Sequence, residues 1–215
     1  MTERPCRRIP SRTYKDYKSY KKWIREDFHY RCAYCSIHEN QHGGFWHFHV
    51  DHHRPKAIFT HLITEYSNLL YSCDHCNIAK GDMWPSDDPL TDGVGWLDPC
   101  EHDLKEHYYY GYLEGEFTLV CLTVVGRWMA TMLALDQPVR IQRHRKLVEE
   151  EQLDTDIAEL IREFIEKSEH DYRREPTTEK LQKIARNRQT LRELENKLIN
   201  RYSPEPYISI RRNQG

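Results

Sequence analysis

The sequence contains no apolar run long enough to cross a bilayer. The longest apolar stretches, such as residues 117–125, fall far short of the roughly 20 residues that a spanning helix needs. The first residues are charged and lack the apolar core of a secretion signal, so we expect a cytoplasmic protein with no membrane partner. Internal repeats and low-complexity runs are also lacking, which argues against solenoids and disordered linkers.

The cysteine content does not fit a disulfide framework. Seven cysteines are an odd number, and we expect no export to an oxidising compartment. Four of them form two C-x-x-C pairs, Cys32/Cys35 and Cys73/Cys76. We interpret the remaining three as buried or free thiols: Cys6, Cys100 and Cys121.

An overall basic charge is missing as well, because the formal net charge is -2. The charge is unevenly distributed, however. Residues 1–31 contain ten Lys/Arg and four Asp/Glu, whereas residues 32–112 contain four and twelve. The basic segment could meet phosphates, or it could be the solvated face of a helix with a basic tail.

The pattern of apolar residues predicts an α+β protein with a mainly helical C-terminal half. Helical spacing covers residues 14–30, and β-prone arms at 108–113 and 117–121 flank a turn, as in a hairpin. Further helices are predicted at 124–135, from Pro138 to about 150, over 153–173, and after Thr178. The last of these carries a narrow apolar stripe, which either packs within its own domain or forms an interface: Leu181, Ile184, Leu191, Leu194 and Leu198.

We expect three regions along the chain. Residues 1–30 form a basic tail and helix, and residues 31–106 form a motif-rich core with an irregular extension. Residues 107–215 form the hairpin and helical region, for packing or partner binding.

The two C-x-x-C pairs predict a structural zinc site. Each pair places two thiolates on one tight turn, and two such turns give the four ligands of a tetrahedral zinc ion. Thirty-seven residues lie between Cys35 and Cys73, so the site must clamp an inserted segment. Four thiolates leave no open position for a substrate, which favours a structural role over a catalytic one.

The inserted segment combines strand, turn and helix signals. Aromatic and β-branched residues lead up to Asp51-His52, which predicts a strand that ends at this pair, and Pro55 then turns the chain. A second short strand is predicted at 68–71, and a short helix at 76–80. We therefore expect two strands and a helix between and around the cysteine pairs.

These motifs resemble those of the HNH endonuclease family. The resemblance rests on C-x-x-C, D-H-x-x-P, N-L-x-x-x-C-x-x-C-N and the following K-G, and it covers about residues 31–82. It implies a core of two strands and one helix around one divalent ion, known as the ββα-metal motif. It also implies that the protein hydrolyses phosphodiester bonds in nucleic acid, with DNA as the expected substrate.

The resemblance also implies a role for each motif residue. His52 would be the general base, and Asn68 would hold the loop that carries it. Asp51 and Asn77 would bind the catalytic ion, and their hard oxygen ligands favour Mg²⁺ or Mn²⁺. The last motif position is Asn77 where the family name has histidine, which makes this an H-N-N variant and leaves the metal preference open.

The two asparagines and several neighbouring residues could also have purely structural roles. Asn68 could be a simple turn or cap residue, and Asn77 could cap a helix. His53 either contacts substrate or lies exposed on a loop, and Lys80 either reaches a phosphate or is solvated. His47 and His49 would share a strand face with Asp51, as a second metal site or as a half-exposed face. His75 is expected to be exposed.

A looser resemblance concerns residues 96–145. This part is similar to the downstream region of the HNH subunit of Septu-type and retron-associated anti-phage defence systems. The resemblance implies a defence role with an ATPase partner subunit. A near-neutral nuclease would bind DNA weakly by charge alone, so a partner or a homodimer would supply the missing surface.

Two rival functions remain at this point. One is a non-catalytic zinc module that binds nucleic acid or protein, which would have no need for a hard ligand beside a base at Asp51-His52. The other is a nuclease that stays silent until a partner or signal releases it.

Overall fold

The computed structural model describes residues 7–201, and for residues 197–201 it describes the backbone alone. Cys6, the side chain of Leu198 and the segment after Tyr202 therefore lie outside the described residues. The helices and strands, in chain order, are α1 Lys21–Asp27, β1 Phe48–His52, β2 Leu69–Cys73, α2 Asp74–Lys80, α3 Pro89–Asp92, β3 Tyr108–Leu113, β4 Glu116–Cys121, α4 Val124–Met132, α5 Pro138–Arg174 and α6 Thr178–Arg201.

Two antiparallel strand pairs and a mostly helical C-terminal half confirm the α+β class. Strands β1 and β2 pair from Phe48↔Cys73 to His52↔Leu69. Strands β3 and β4 form the predicted hairpin, in which Leu113 pairs with Glu116 across a turn. Glu114 and Gly115 at this turn both have positive φ angles, the backbone conformation that tight hairpin turns require.

Strand β2 is covered on both faces and lies in the core, whereas β1 is exposed at His49. All five residues of β2 are buried, and the ring of Tyr71 stacks on that of Phe48 with centroids 4.8 Å apart. Helix α1 attaches to this pair through a buried network, in which Arg25 bonds to Glu39 and the Tyr71 hydroxyl donates to Glu39 at 2.6 Å. Each charge in this network has a partner, as burial requires.

The N-terminal helix is shorter than predicted. Residues 14–30 were expected to be helical throughout, but a 3-10 turn occupies Tyr17–Tyr20 and α1 ends at Asp27. His29 and Tyr30 have positive φ angles, which a helix cannot contain, so the chain turns there towards the first cysteine pair.

The second and third predicted C-terminal helices form one helix, α5, from Pro138 to Arg174. No glycine or proline interrupts residues 139–174, so nothing in the backbone ends the helix near residue 150. The chain forms two compact units, and the boundary lies between residues 144 and 145. The second unit contains the rest of α5 and α6. In that unit Ile184 of the apolar stripe is buried, whereas Leu181 is half exposed.

Among the described residues, none of the helices has both the length and the apolarity that crossing a bilayer demands.

Candidate functional site

The four cysteines of the two pairs meet in one buried cluster. Cys32 and Cys35 lie on the turn after α1, Cys73 ends β2, and Cys76 lies in the first turn of α2. Their sulfur atoms all lie within 4.8 Å of one another, and those of Cys35 and Cys73 are 3.9 Å apart. Four thiolates at about 2.3 Å from a zinc ion would be about 3.8 Å apart, so the cluster fits zinc.

The thiols of the cysteine cluster shift one another's pKa, and one arginine contacts them. Hydrogen bonds from the neighbouring thiols, that of Cys32 first, hold the pKa of Cys35 well below its usual value. Burial raises the pKa of Cys76 well above its usual value. Zinc binding would require all four groups as thiolates. Arg140 from α5 favours the thiolate of Cys76 by donating to its sulfur at 3.0 Å.

Asp51 and His52 end β1, as predicted, and both are buried. One oxygen of the Asp51 carboxylate accepts from the backbone N–H of His52 at 2.7 Å. The other accepts from the Tyr34 hydroxyl at 2.6 Å. Burial raises the pKa of Asp51, and these donors oppose the rise. The carboxylate is therefore held in one orientation before any ligand binds.

The partner of the His52 ring defines its tautomer. Its Nε2 lies 2.9 Å from the carbonyl oxygen of Ile63, and a carbonyl only accepts, so Nε2 carries the proton. Nδ1 is then the acceptor, and no residue in the described part of the chain donates to it. Burial lowers the pKa of His52, which keeps the ring neutral near pH 7. The Tyr17 ring contacts the imidazole edge-on, with centroids 4.6 Å apart.

Asn68 ties together the loop that links β1 and β2. It lies in a 3-10 turn at Tyr66–Asn68, and β2 starts only at Leu69, one residue later than predicted. Its side-chain oxygen accepts from the Arg54 N–H at 2.8 Å, and its amide donates to the Arg54 carbonyl at 3.0 Å. The same amide lies 3.4 Å from the carbonyl of Leu62, so it also braces the residue before Ile63, whose carbonyl orients His52.

Asn77 lies inside α2 and not at its start. The N-cap of α2 is Cys73, so the alternative that Asn77 caps a helix is wrong. Within residues 7–201, its side-chain amide forms no hydrogen bond. It lines the same cleft as Asp51 and His52, and its amide oxygen is therefore available to a metal.

Both expectations for Lys80 are wrong. The side chain is fully buried, so it is neither solvated nor free to reach a phosphate. Its Nζ donates to the His52 carbonyl at 2.7 Å and lies 3.7 Å from an Asp51 carboxylate oxygen. The C-terminal end of α2 thus fixes the end of β1, and the ammonium balances the Asp51 charge. The sequence hides this because a lysine at the end of a short helix is usually solvated, and burial of a lysine depends on partners that the local pattern does not show.

Lys80→Met is expected to destabilise the protein by about 1.5–3 kcal/mol, the range for a hydrogen bond from a charged group. The substitution keeps the apolar stem but leaves the His52 carbonyl and the Asp51 carboxylate without their cation. Urea unfolding measures the change. Lys105→Met, at an exposed lysine, is the matched control. Equal unfolding midpoints for the two variants would contradict this role.

Asp51, His52 and Asn77 open into one cleft of about 500 Å³. Three lysines also line it: Lys18, Lys21 and Lys56. Lys21 donates to the Phe45 carbonyl at 2.9 Å, and burial lowers its pKa to about 8, so it remains mostly protonated at pH 7. Of the two interpretations of the basic N-terminal segment, the cleft position of Lys18 and Lys21 favours the phosphate-facing one.

The neighbouring histidines do not behave as one strand face. His47 lies in a 3-10 turn before β1 and contacts Asp74, so its expected place on the strand is wrong, whereas His49 lines the cleft. His53 is not exposed, since its ring packs on Trp84 and burial lowers its pKa to about 4. His75 is exposed, as expected.

Sequence reasoning missed the groups that hold the motif residues. Tyr34 lies between the cysteines of the first pair, and an aromatic residue inside a C-x-x-C turn is the one signal that could have indicated it. The Ile63 carbonyl leaves no signal at all, because every residue has one. Lys56 directly follows the proline turn, and its charge next to the motif was a usable hint.

Comparison with known protein families gives a match over part of the chain. Residues 32–83 match the model of the HNH endonuclease family, which confirms the resemblance inferred from the motifs. No curated protein and no solved structure shows a significant similarity to the chain. The matched segment contains all four clustered cysteines together with Asp51, His52 and Asn77, and it supports a function on nucleic acid in general.

Proposed function

We propose that the protein is a metal-dependent HNH endonuclease that hydrolyses phosphodiester bonds, with DNA as its expected substrate. The observation that carries the proposal is the single cleft that combines Asp51, His52 and Asn77 with three lysines. A carboxylate, a neutral imidazole and an amide oxygen have no shared structural purpose at a solvent-open cleft. Together they match the needs of phosphoryl chemistry.

The donor set fits a hard divalent ion. Asp51 and Asn77 would hold Mg²⁺ or Mn²⁺ through oxygen, as these ions prefer. When bound, the ion would stabilise the negative charge that develops on the phosphate. His52 would take the proton of the attacking water at Nδ1, because its Nε2 is held by the Ile63 carbonyl. The three lysines would bind the flanking phosphates.

The cysteine cluster would bind zinc and hold the site without taking part in the reaction. It joins the residue 32–35 turn to the start of α2, which carries Asn77. Asn68 would act on the same site from the other side, by holding the loop behind His52. Both are positioning roles.

We also propose a biological role and a partner subunit, on the basis of the second resemblance. The similarity of residues 96–145 to the HNH subunit of Septu-type systems supports a role as an effector of anti-phage defence. An ATPase subunit or a second copy of the chain would then supply DNA-binding surface, because the net charge of -2 gives little general attraction for DNA.

Plasmid nicking tests the function. The purified protein is expected to nick supercoiled DNA with Mg²⁺ or Mn²⁺ and to lose this activity in EDTA and in Asp51→Ala. Duplex DNA, single-stranded DNA and RNA of the same sequence identify the substrate. Binding without cleavage of any of them, with either ion and with the candidate ATPase present, would favour the non-catalytic zinc module instead.

A further inference from the structure

A second group of metal-ligating side chains lies beside the cysteine cluster. Asp74 and His75 occupy the two positions between Cys73 and Cys76, at the start of α2. His42 and His47 approach them from the segment that precedes β1. Neither the proposed nuclease reaction nor the cysteine cluster uses these residues.

The distances bring three imidazoles around one carboxylate. His42 Nε2 lies 2.6 Å from one oxygen of Asp74, and His47 Nδ1 lies 3.0 Å from the other. Ligand atoms of His42, Asp74 and His75 all lie within 4.8 Å of one another. Zinc ligands at about 2.0–2.2 Å are about 3.3–3.5 Å apart, so small side-chain rotations would bring these three onto one ion. His47, which contacts the other Asp74 oxygen, would turn its ring to supply the fourth ligand.

Gly43 keeps room for one of these rings. It has a positive φ of 76°, and a Cβ at this position would lie 2.4 Å from the ring carbon Cδ2 of His47. A side chain at this position would therefore be strained and would push the His47 ring away. Glycine leaves the ring its place beside Asp74.

The donor chemistry selects the ion. Three imidazole nitrogens and one carboxylate oxygen suit zinc, whereas Mg²⁺ prefers oxygen ligands. The group is also accessible, since the His47 side chain is 54% exposed. The Arg143 guanidinium donates to His42 Nδ1 at 2.7 Å, so zinc binding at Nε2 would require the ring proton to move to Nδ1 and Arg143 to turn away. The site should therefore bind zinc more weakly than the cysteine cluster.

We propose that these side chains form a second zinc site, separate from the cysteine cluster and from the nuclease cleft: His42, His47, Asp74 and His75. It would cross-link the segment before β1 to the first turn of α2. This site does not depend on the proposed nuclease function.

Zinc itself is the probe for this site. The full-length protein, saturated with Zn²⁺ and desalted, is expected to contain about two zinc ions per chain by mass spectrometry of the metal. His42→Ala and His75→Ala should each contain about one, and Gly43→Ala should lose the second ion at lower chelator concentration than wild type. His170→Ala, at an exposed histidine of α5, is the matched control and should keep both.

Two further measurements assign the ions. Asp51→Ala should retain the second ion, which excludes the nuclease cleft as its location. In cobalt-substituted protein, His75→Ala should lose cobalt without losing the thiolate-to-cobalt charge-transfer band. The proposal is overturned if wild type contains one zinc with sulfur ligands only, or if His42→Ala and His75→Ala both retain the wild-type zinc content.

Discussion

Replacing His52 with alanine is expected to slow phosphodiester cleavage by about 10²–10⁴-fold, the usual contribution of a general base. His52 has the properties that this role demands. It is neutral because burial lowers its pKa, and its Nδ1 is the free acceptor because Nε2 donates to the Ile63 carbonyl at 2.9 Å. Alanine removes the acceptor but leaves the backbone of β1 in place.

The measurement is single-turnover cleavage of a labelled duplex at saturating metal. His61→Ala changes an exposed histidine of the same loop and is the matched control. Because His52 is not a proposed metal ligand, His52→Ala should still bind Mn²⁺, whereas Asp51→Ala should not. This difference separates a lost base from a lost ion. If His52→Ala cleaves as fast as His61→Ala, the proposed mechanism is wrong.

Loss of the cysteine-bound zinc is expected to unfold the core around β1, β2 and α2. Zinc binding to four-ligand sites of small domains contributes about 10–16 kcal/mol, whereas a whole domain is typically stable by about 5–15 kcal/mol. Cys73→Ser should therefore abolish cooperative thermal unfolding, and a strong chelator should do the same to the wild type. Residues 48–80, which contain β1, β2 and α2, form only short elements, which gives them little stability of their own.

Circular dichroism and metal content follow this loss together. Cys121→Ser is the matched control, because Cys121 lies on β4 and outside the cluster. It should keep its zinc and its unfolding temperature. A Cys73→Ser protein that unfolds at the wild-type temperature would show that the cluster is not what holds the fold.

The sequence predicted the site well where chemistry and local spacing coincide. The cysteine pairs meet in one cluster, and the strand before Asp51-His52 ends at His52, because alternation and turn signals act over a few residues. The hairpin of β3 and β4 followed from the same local rules. The HNH motifs were recognisable for this reason too, since their order and spacing are themselves sequence properties.

Predictions failed where burial by distant elements decides the outcome. Lys80 looks like a solvated lysine on a short helix, yet it is buried beneath the end of β1. His53 looks like an exposed loop residue, but Trp84 covers it. Helical periodicity also cannot tell two adjacent helices from a continuous one, which is why α5 was divided near residue 150.

By itself, the sequence determined the four cysteines, the motif residues Asp51, His52, Asn68 and Asn77, and the mixed fold class. These follow from residue type, order and short-range periodicity, which need no knowledge of what packs against what. The tertiary structure alone decided which lysines line the cleft, which nitrogen of His52 is free, and how His42 and His47 reach Asp74. Those properties arise from contacts between segments far apart in the chain, and a local pattern carries no information about them.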